Sequence, residues 1–141
     1  MKNYVLDSSA VLRYVEDEPG AARVEELLNL ARVEDCQLSI SAVNWGEVVY
    51  VLIRKLPTDI AFAVLTRLRA LRLAIVPVSA NDAESTAEFK KQYGLPYADA
   101  FAGALASNLQ AQLITADFDF KSCGSDIRVE FLPTRTRKSV Q

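Results

Sequence analysis

The chain has no histidine and only two cysteines among its 141 residues. Without an imidazole, a histidine base and a histidine metal ligand are both excluded, so carboxylates must carry any acid–base or metal chemistry. Cys36 and Cys123 are far apart and lack a C-x-x-C spacing, which argues against a disulfide framework and against a zinc site. Free thiols are typical of a reducing compartment.

Long apolar runs are also missing. The longest uncharged stretch, residues 100–116, is interrupted by serine, asparagine and glutamine and is too polar for a membrane helix. At the N-terminus, the apolar run 4–6 is broken at once by Asp7, unlike the core of a signal peptide. We therefore expect a cytoplasmic protein without a membrane partner.

An excess of basic charge is absent as well, since the net charge is −2. The chain therefore has no overall signature of nucleic-acid binding. Its basic residues are grouped locally instead, as Arg67, Arg69 and Arg72, as Lys90 and Lys91, and as Arg135, Arg137 and Lys138. Each group is either a solvated helix face or tail, or a set of phosphate contacts around an acidic centre.

Short apolar strands alternate with amphipathic helices along the whole chain. The pattern predicts strands at 3–6, 37–40, 74–78 and 112–115, with a fifth at an edge over 129–132. Helices are predicted at 9–15, 21–32, 42–56, 59–71, 80–92 and 97–109, with Thr58 and Ser79 as caps. This order predicts an α/β fold with a mainly parallel sheet of four to five strands, covered by helices on both faces. We expect one domain over residues 1–132, followed by a short basic tail over 133–141.

Four acidic residues stand where strands end or helices begin. Asp7 and Asp117 follow predicted strands, and Glu47 and Asp99 open predicted helices. In parallel α/β sheets, ligands bind beyond the carboxyl ends of the strands. The four side chains are therefore predicted to reach one common space.

Each of these acids also has a purely structural explanation. Asp7 could cap the helix that begins near Ser9, and Asn44 with Glu47 could form a capping box. Asp99 lies in the first turn of its helix, where a negative charge is favourable. Asp117 could be a turn residue, together with Asp119.

The neighbours of Asp99 and Glu47 favour a functional role. Asp99 shares its helical face with Ala102, Gly103 and Ala106, which predicts close packing and an inward-pointing carboxylate. Glu47 opens a helix that is apolar nearly all round, which predicts deep burial. Because clustered carboxylates repel one another strongly, Mg²⁺ or Mn²⁺ is the expected compensation. Such a metal centre beside basic residues is suited to phosphodiester hydrolysis.

Four segments resemble the PIN domain, and more closely the toxin ribonucleases of VapBC toxin–antitoxin systems. They are L6-D-S-S-A10, N44-W-G-E-V48, L95-P-Y-A-D-A100 and L113-I-T-A-D-F-D-F120. Their order and spacing match from residue 4 to about residue 132. The resemblance implies a PIN-like three-layer α/β/α sandwich.

The resemblance also implies an activity, a divalent-metal-dependent endoribonuclease with Asp7, Glu47, Asp99 and Asp117 as catalytic metal ligands. Ser9 and Thr115 match small polar positions that support those carboxylates, and Asp119 matches a more variable acidic position. Expected substrates are transfer, ribosomal or messenger RNA, cut by a metal-activated water to leave a 5′-phosphate. The implied partners are a second copy of the chain in a homodimer and a VapB-like antitoxin that silences the active site. The resemblance also allows a larger complex of toxin and antitoxin.

Functions of other classes were compared with the same residues. The fold could serve as a catalytically silent module that binds RNA or protein without cutting it. A haloacid-dehalogenase-type phosphatase would need a second aspartate where Ser9 stands, and no G-x-x-x-x-G-K run exists for a P-loop enzyme. The apolar residues over 43–53 and 60–73 fit either a dimer interface or a well-filled monomer core.

Overall fold

The structure is a computed structural model that describes residues 1–135. Over these residues the central sheet has five strands, β1 Lys2–Leu6, β2 Cys36–Ser41, β3 Ala74–Val76, β4 Gln112–Thr115 and β5 Val129–Phe131. All five are parallel, in the order β3-β2-β1-β4-β5. β1 is central, with Val5 level with Ser39 of β2 and with Leu113 of β4. Strand order reverses between β1 and β4, so this gap is the switch point where α/β proteins bind ligands.

Six α-helices and one 3₁₀ helix connect the strands. They are α1 Ser8–Val15, α2 Ala21–Arg32, α3 Ala42–Lys55, α4 Thr58–Arg69, α5 Ala80–Tyr93, α6 Tyr97–Leu109 and the 3₁₀ helix Phe118–Cys123. Side chains of β1 point alternately to the two faces of the sheet. Tyr4 and Leu6 join a core formed with α1 to α4, whereas Val5 joins a second core formed with α6 and Phe120. The predicted sheet with helices on both faces is therefore confirmed.

Small residues bring α5 and α6 into close contact. Ala102, Gly103 and Ala106 of α6 are all buried, as their shared face predicts. A side chain on Gly103 would place its Cβ only 2.6 Å from the ring of Phe89 on α5. This close approach sets the position of α6, and with it the position of Asp99.

Several local predictions need correction. β3 ends at Val76 and not at residue 78, because Pro77 has no N–H to donate to the sheet. Ser79 does cap α5, but Thr58 lies inside α4, whose N-cap is Pro57 without a side-chain hydrogen bond. α3 is not deeply buried either: Tyr50 and Ile53 are 59% and 57% exposed. Some apolar side chains of α3 therefore lie on the surface and not in the core.

The chain after β5 is held by a buried arginine. Arg13 of α1 donates hydrogen bonds to the carbonyl oxygens of Pro19, at 2.6 Å, and Pro133, at 2.7 Å. Of the expected basic tail over 133–141, Arg137 and Lys138 lie outside the described residues. Within residues 1–135, every helix is too short or too polar to cross a membrane.

Candidate metal centre

Asp7 lies at the carboxyl end of β1 and is buried. Its Oδ1 accepts hydrogen bonds from the hydroxyl of Ser9 at 2.7 Å and from the backbone N–H of Ala10 at 2.9 Å. Its Oδ2 accepts from the hydroxyl of Thr115 on the neighbouring strand β4. Asp7 thus caps α1, as one sequence interpretation predicted, and is also held against β4.

Burial makes the charge of Asp7 unfavourable. Loss of solvent raises the pKa of Asp7 to about 6, although the hydrogen bonds from Ser9, Thr115 and Ala10 act in the opposite direction. The negative charge of Asp117 adds a smaller upward shift. A buried acid of this kind is stabilised in its charged form by a nearby cation.

Thr115 and Ser9 connect the ends of β1 and β4. The Thr115 hydroxyl accepts from the backbone N–H of Asp117 at 2.9 Å while it donates to Asp7. The Ser9 hydroxyl accepts from the backbone N–H of Ala116, also at 2.9 Å. Ser9 and Thr115 therefore support the site, because their hydrogen bonds hold the Asp7 carboxylate and the backbone that leads into Asp117.

Asp117 is the N-cap of the 3₁₀ helix and forms a turn with Asp119. Its Oδ1 accepts from the backbone N–H of Asp119 at 2.9 Å, so the predicted turn is present. Carboxylate oxygens of Asp99, Asp117 and Asp119 come within 4.8 Å of one another. Two oxygens bound to one Mg²⁺ ion are at most about 4.2 Å apart, so only a small contraction separates this arrangement from a binding site.

Asp99 occupies the first turn of α6, where the sequence placed it. Burial and the adjacent Asp117 carboxylate, together with the smaller effects of the charges of Asp7 and Glu47, raise the pKa of Asp99 to about 7. Asp7 and Glu47 are therefore near enough to repel Asp99, although within residues 1–135 they lie outside the set that meets within 4.8 Å. The third acid that meets Asp99 and Asp117 in the structure is Asp119.

Glu47 is held by two side chains. Its Oε1 accepts from the hydroxyl of Ser8 and from Nδ2 of Asn44, both at 3.0 Å. Asn44 is completely buried, and its Nδ2 also donates to the carbonyl oxygen of Ala98 at 3.0 Å. Among the described residues, its Oδ1 has no partner.

The capping-box interpretation of Asn44 and Glu47 is wrong. Ser41 is the N-cap of α3 and accepts from the backbone N–H of Val43, so Asn44 already lies inside the helix. Ser8 and Asn44 are the supporting residues that sequence reasoning missed. The spacing of three residues between Asn44 and Glu47 did indicate that their side chains interact. It was interpreted as a helix cap, and the contact of Asn44 with Ala98 was not predicted.

The donor set fits a hard divalent cation. Within residues 1–135, no lysine or arginine forms a salt bridge with any of the five acids, Asp7, Glu47, Asp99, Asp117 and Asp119. Their hydrogen-bond donors are hydroxyls, one amide and backbone N–H groups, which leave the negative charge uncompensated. Clustered carboxylate oxygens are the ligands that Mg²⁺ and Mn²⁺ prefer.

Comparison with known proteins identifies related sequences and folds. The profile of the PIN domain family matches residues 4–124. No protein with a curated description matches the sequence. The DNA-bound VapBC2 structure from Rickettsia felis has a TM-score of 0.74 and 20% identity, with 93% of this chain and 99% of that chain covered.

Two further structures have the same architecture. The DNA-bound VapBC from Salmonella typhimurium has a TM-score of 0.73 and 19% identity, with 93% of this chain and 98% of that chain covered. VapC20 from Mycobacterium tuberculosis, a sarcin–ricin loop cleaving toxin, has a TM-score of 0.64 and 19% identity over 92% of this chain and 99% of its own. At these identities the likeness establishes a shared fold.

Proposed function

Because this chain belongs to the PIN domain family, we propose that it is a divalent-metal-dependent endoribonuclease and the toxin of a VapBC-type toxin–antitoxin pair. The expected PIN-like α/β/α sandwich is confirmed. The main support for a metal-dependent activity is a cluster of acids. Carboxylates of Asp99, Asp117 and Asp119 meet, and Asp7 and Glu47 lie nearby. A structurally similar toxin cleaves the sarcin–ricin loop, so RNA is the first substrate to test.

In this proposal, Asp99, Asp117 and Asp119 hold the metal, and Asp7 and Glu47 complete its surroundings. A bound Mg²⁺ or Mn²⁺ ion would lower the pKa of a coordinated water and offset charge on the phosphate. Asp7 is kept in place by Ser9 and Thr115, and Glu47 by Ser8 and Asn44. Fixed carboxylates need little reorganisation when substrate arrives.

Proton transfer in this site has few routes. The sequence has no histidine, so the proton of an attacking water can pass only to a carboxylate or to solvent. In the metal-free protein the pKa of Asp99 is raised to about 7, so a proton and a metal ion compete for this carboxylate near neutral pH.

The proposed protein partners are a VapB-like antitoxin and a second copy of the chain. Several structurally similar proteins are VapBC toxin–antitoxin complexes. Exposed apolar side chains on α3 and α4, namely Tyr50, Ile53, Ile60 and Phe62, offer a surface for such contacts. The two free, buried cysteines agree with a location in the reducing cytoplasm.

Cleavage of purified RNA tests the activity. We expect the protein to cut transfer, ribosomal or messenger RNA in Mn²⁺ or Mg²⁺ and to stop cutting when EDTA is added. Asp99→Asn is expected to remove cleavage, whereas Asp35→Asn is the matched control. Asp35 is an exposed aspartate just before β2, at the opposite edge of the sheet from the acidic cluster.

The outcomes separate the two candidate functions. Cleavage that continues at full rate in excess EDTA would contradict the metal-dependent mechanism. RNA binding without cleavage in Mn²⁺ would instead identify a catalytically silent binding module. Mapping the 5′ ends of the products would identify the target, because metal-activated water is expected to leave a 5′-phosphate.

A further inference from the structure

A groove opens beside the acidic cluster, between α1, the end of α3 and the 3₁₀ helix. This side groove is lined by residues that include Ser9, Glu16, Arg54, Lys55, Asp117 and Phe118. Asp117 and Asp119 belong both to the groove and to the acidic cluster. A chain lying in the groove would therefore pass directly into the candidate metal centre.

One wall of the side groove is basic. Arg54 and Lys55 form the last turn of α3. Lys55 is 3.3 Å from Glu16, which takes up part of its charge. Arg54 has no carboxylate within salt-bridge distance among residues 1–135, and its guanidinium lies over the ring of Tyr50, 5.5 Å from the centroid. Arg54 thus presents a positioned and uncompensated charge.

The side groove is also lined by an exposed aromatic ring. Phe118 is 41% exposed and lies between Asp117 and Asp119 in the sequence. Phe131 supports it from behind, with ring centroids 5.3 Å apart. The ammonium of Lys121 lies 4.9 Å from its centroid. Lys121 is exposed, so its contact with the ring is open to solvent.

We propose that the side groove binds a single-stranded RNA segment next to the bond that is cleaved, with Arg54 on a phosphate and Phe118 beneath a base. This assignment rests on the nuclease function proposed above. Cations and exposed aromatic rings together are the usual equipment for binding single strands. RNA loops are the natural form of this substrate, since their bases are already unstacked.

Charge balance favours a nucleic acid strand in this groove. The chain has a net charge of −2 and an acidic centre, so an RNA needs local cations to approach. Two of the three basic groups in the sequence, Arg67 to Arg72 and Lys90 with Lys91, do not line the side groove. Arg135 of the third group lines it but is paired with Glu18. Arg54 and Lys121 supply the required charge at the edge of the acidic centre.

Binding of a short fluorescein-labelled single-stranded RNA tests the assignment. All variants carry Asp99→Asn to prevent cleavage, and affinity is followed by fluorescence anisotropy at several salt concentrations. Arg54→Gln should weaken binding about 3- to 10-fold and lower the slope of log affinity against log salt by about 0.7. Phe118→Ala should weaken binding about 5-fold or more, and Phe118→Trp should restore it.

A control and a second readout separate binding from folding. Arg32→Gln removes an exposed arginine from the end of α2, outside the groove, and should leave affinity unchanged. In the protein with Asp99 intact, Arg54→Gln and Phe118→Ala should raise KM for RNA cleavage with little change in kcat.

Unchanged RNA affinity in both variants would overturn the assignment and leave the groove as a surface for a protein partner. If wild type cleaves RNA while the variants bind normally, only the groove assignment fails. If wild type neither binds nor cleaves RNA, the proposed function fails with it.

Discussion

The side-chain amide of Asn44 donates a hydrogen bond of 3.0 Å to Glu47, three residues further along the same helix. The same nitrogen donates to the carbonyl oxygen of Ala98, also at 3.0 Å, directly before Asp99. One buried amide thereby links Glu47 of α3 to the backbone of α6, one residue before Asp99.

Asn44→Ala should impair the metal centre without changing its acids. Supporting residues around metal ligands typically contribute about 10- to 100-fold to metal affinity or activity. We expect a decrease of that size in Mn²⁺ affinity by calorimetry, together with a higher Mn²⁺ requirement for RNA cleavage. Asn29→Ala, in an exposed position of α2, is the matched control. Equal Mn²⁺ affinity in the two variants would exclude a positioning role for Asn44.

Asp7→Asn should stabilise the metal-free protein at neutral pH. The folded-state pKa of Asp7 is raised to about 6, above its unfolded value near 4, so the folded state binds more protons between these values. Stability of the wild type therefore falls as pH rises from about 4 to about 6 and stays lower above that range. The penalty is about 3 kcal/mol, and the neutral amide removes it.

Urea denaturation in EDTA at several pH values between 4 and 8 measures this effect. The wild type should lose stability across the window, and Asp7→Asn should show a flatter profile. Asp35→Asn should follow the wild-type profile, since Asp35 is exposed. A wild type that gained stability from pH 4 to 6 relative to Asp7→Asn would show that the Asp7 pKa is lowered and not raised.

Metal should stabilise the folded protein in a pH-dependent way. An ion present at about 100 times its Kd adds about 2.7 kcal/mol, which corresponds to a rise in Tm of roughly 10 °C for a chain of this size. Because the pKa of Asp99 is about 7, protons compete with the metal below that pH. Apparent affinity should fall about tenfold between pH 8 and pH 6.

Thermal denaturation with and without Mn²⁺ at the two pH values provides the measurement. Asp99→Asn and Asp117→Asn should show little or no rise in Tm. A rise that is equally large in Asp99→Asn would place the ion elsewhere in the protein.

Gly103→Ala should destabilise the contact between α5 and α6. The new Cβ would lie 2.6 Å and 2.9 Å from two ring carbons of Phe89, which must then shift. Forced overpacking of this kind destabilises by about 1–3 kcal/mol, and Phe89→Leu in the same chain should recover part of the loss. Urea denaturation measures both changes.

Gly46→Ala is the matched control for this prediction. Gly46 lies inside α3 and has open space where a Cβ would stand. An alanine there should stabilise the helix by roughly 0.5–1 kcal/mol. If Gly103→Ala lowers the free energy of unfolding while Gly46→Ala raises it, the requirement for glycine at position 103 comes from packing and not from helix propensity.

The order and approximate limits of the helices and strands were predictable from the sequence. Apolar spacing identified α2 and α6, and a run of strand-forming residues identified β4, because these periods follow from backbone geometry alone. Exposure was less predictable. Tyr50 and Ile53 belong to a helix whose sequence predicts burial, yet no element among residues 1–135 covers them. An apolar sequence does not specify whether its partner lies within the same chain.

The sequence by itself determined which acids stand at strand ends and helix starts, and thus predicted Asp7, Glu47, Asp99 and Asp117 near one edge of the sheet. Only the tertiary structure decided which carboxylate oxygens meet. The turn after β4 brings Asp119 to Asp99 and Asp117, while hydrogen bonds draw Asp7 towards Thr115 and Glu47 towards Asn44. Position along a strand follows from local spacing. Distance between side chains depends on the register of non-consecutive strands and the path of the turns, which no single segment of sequence contains.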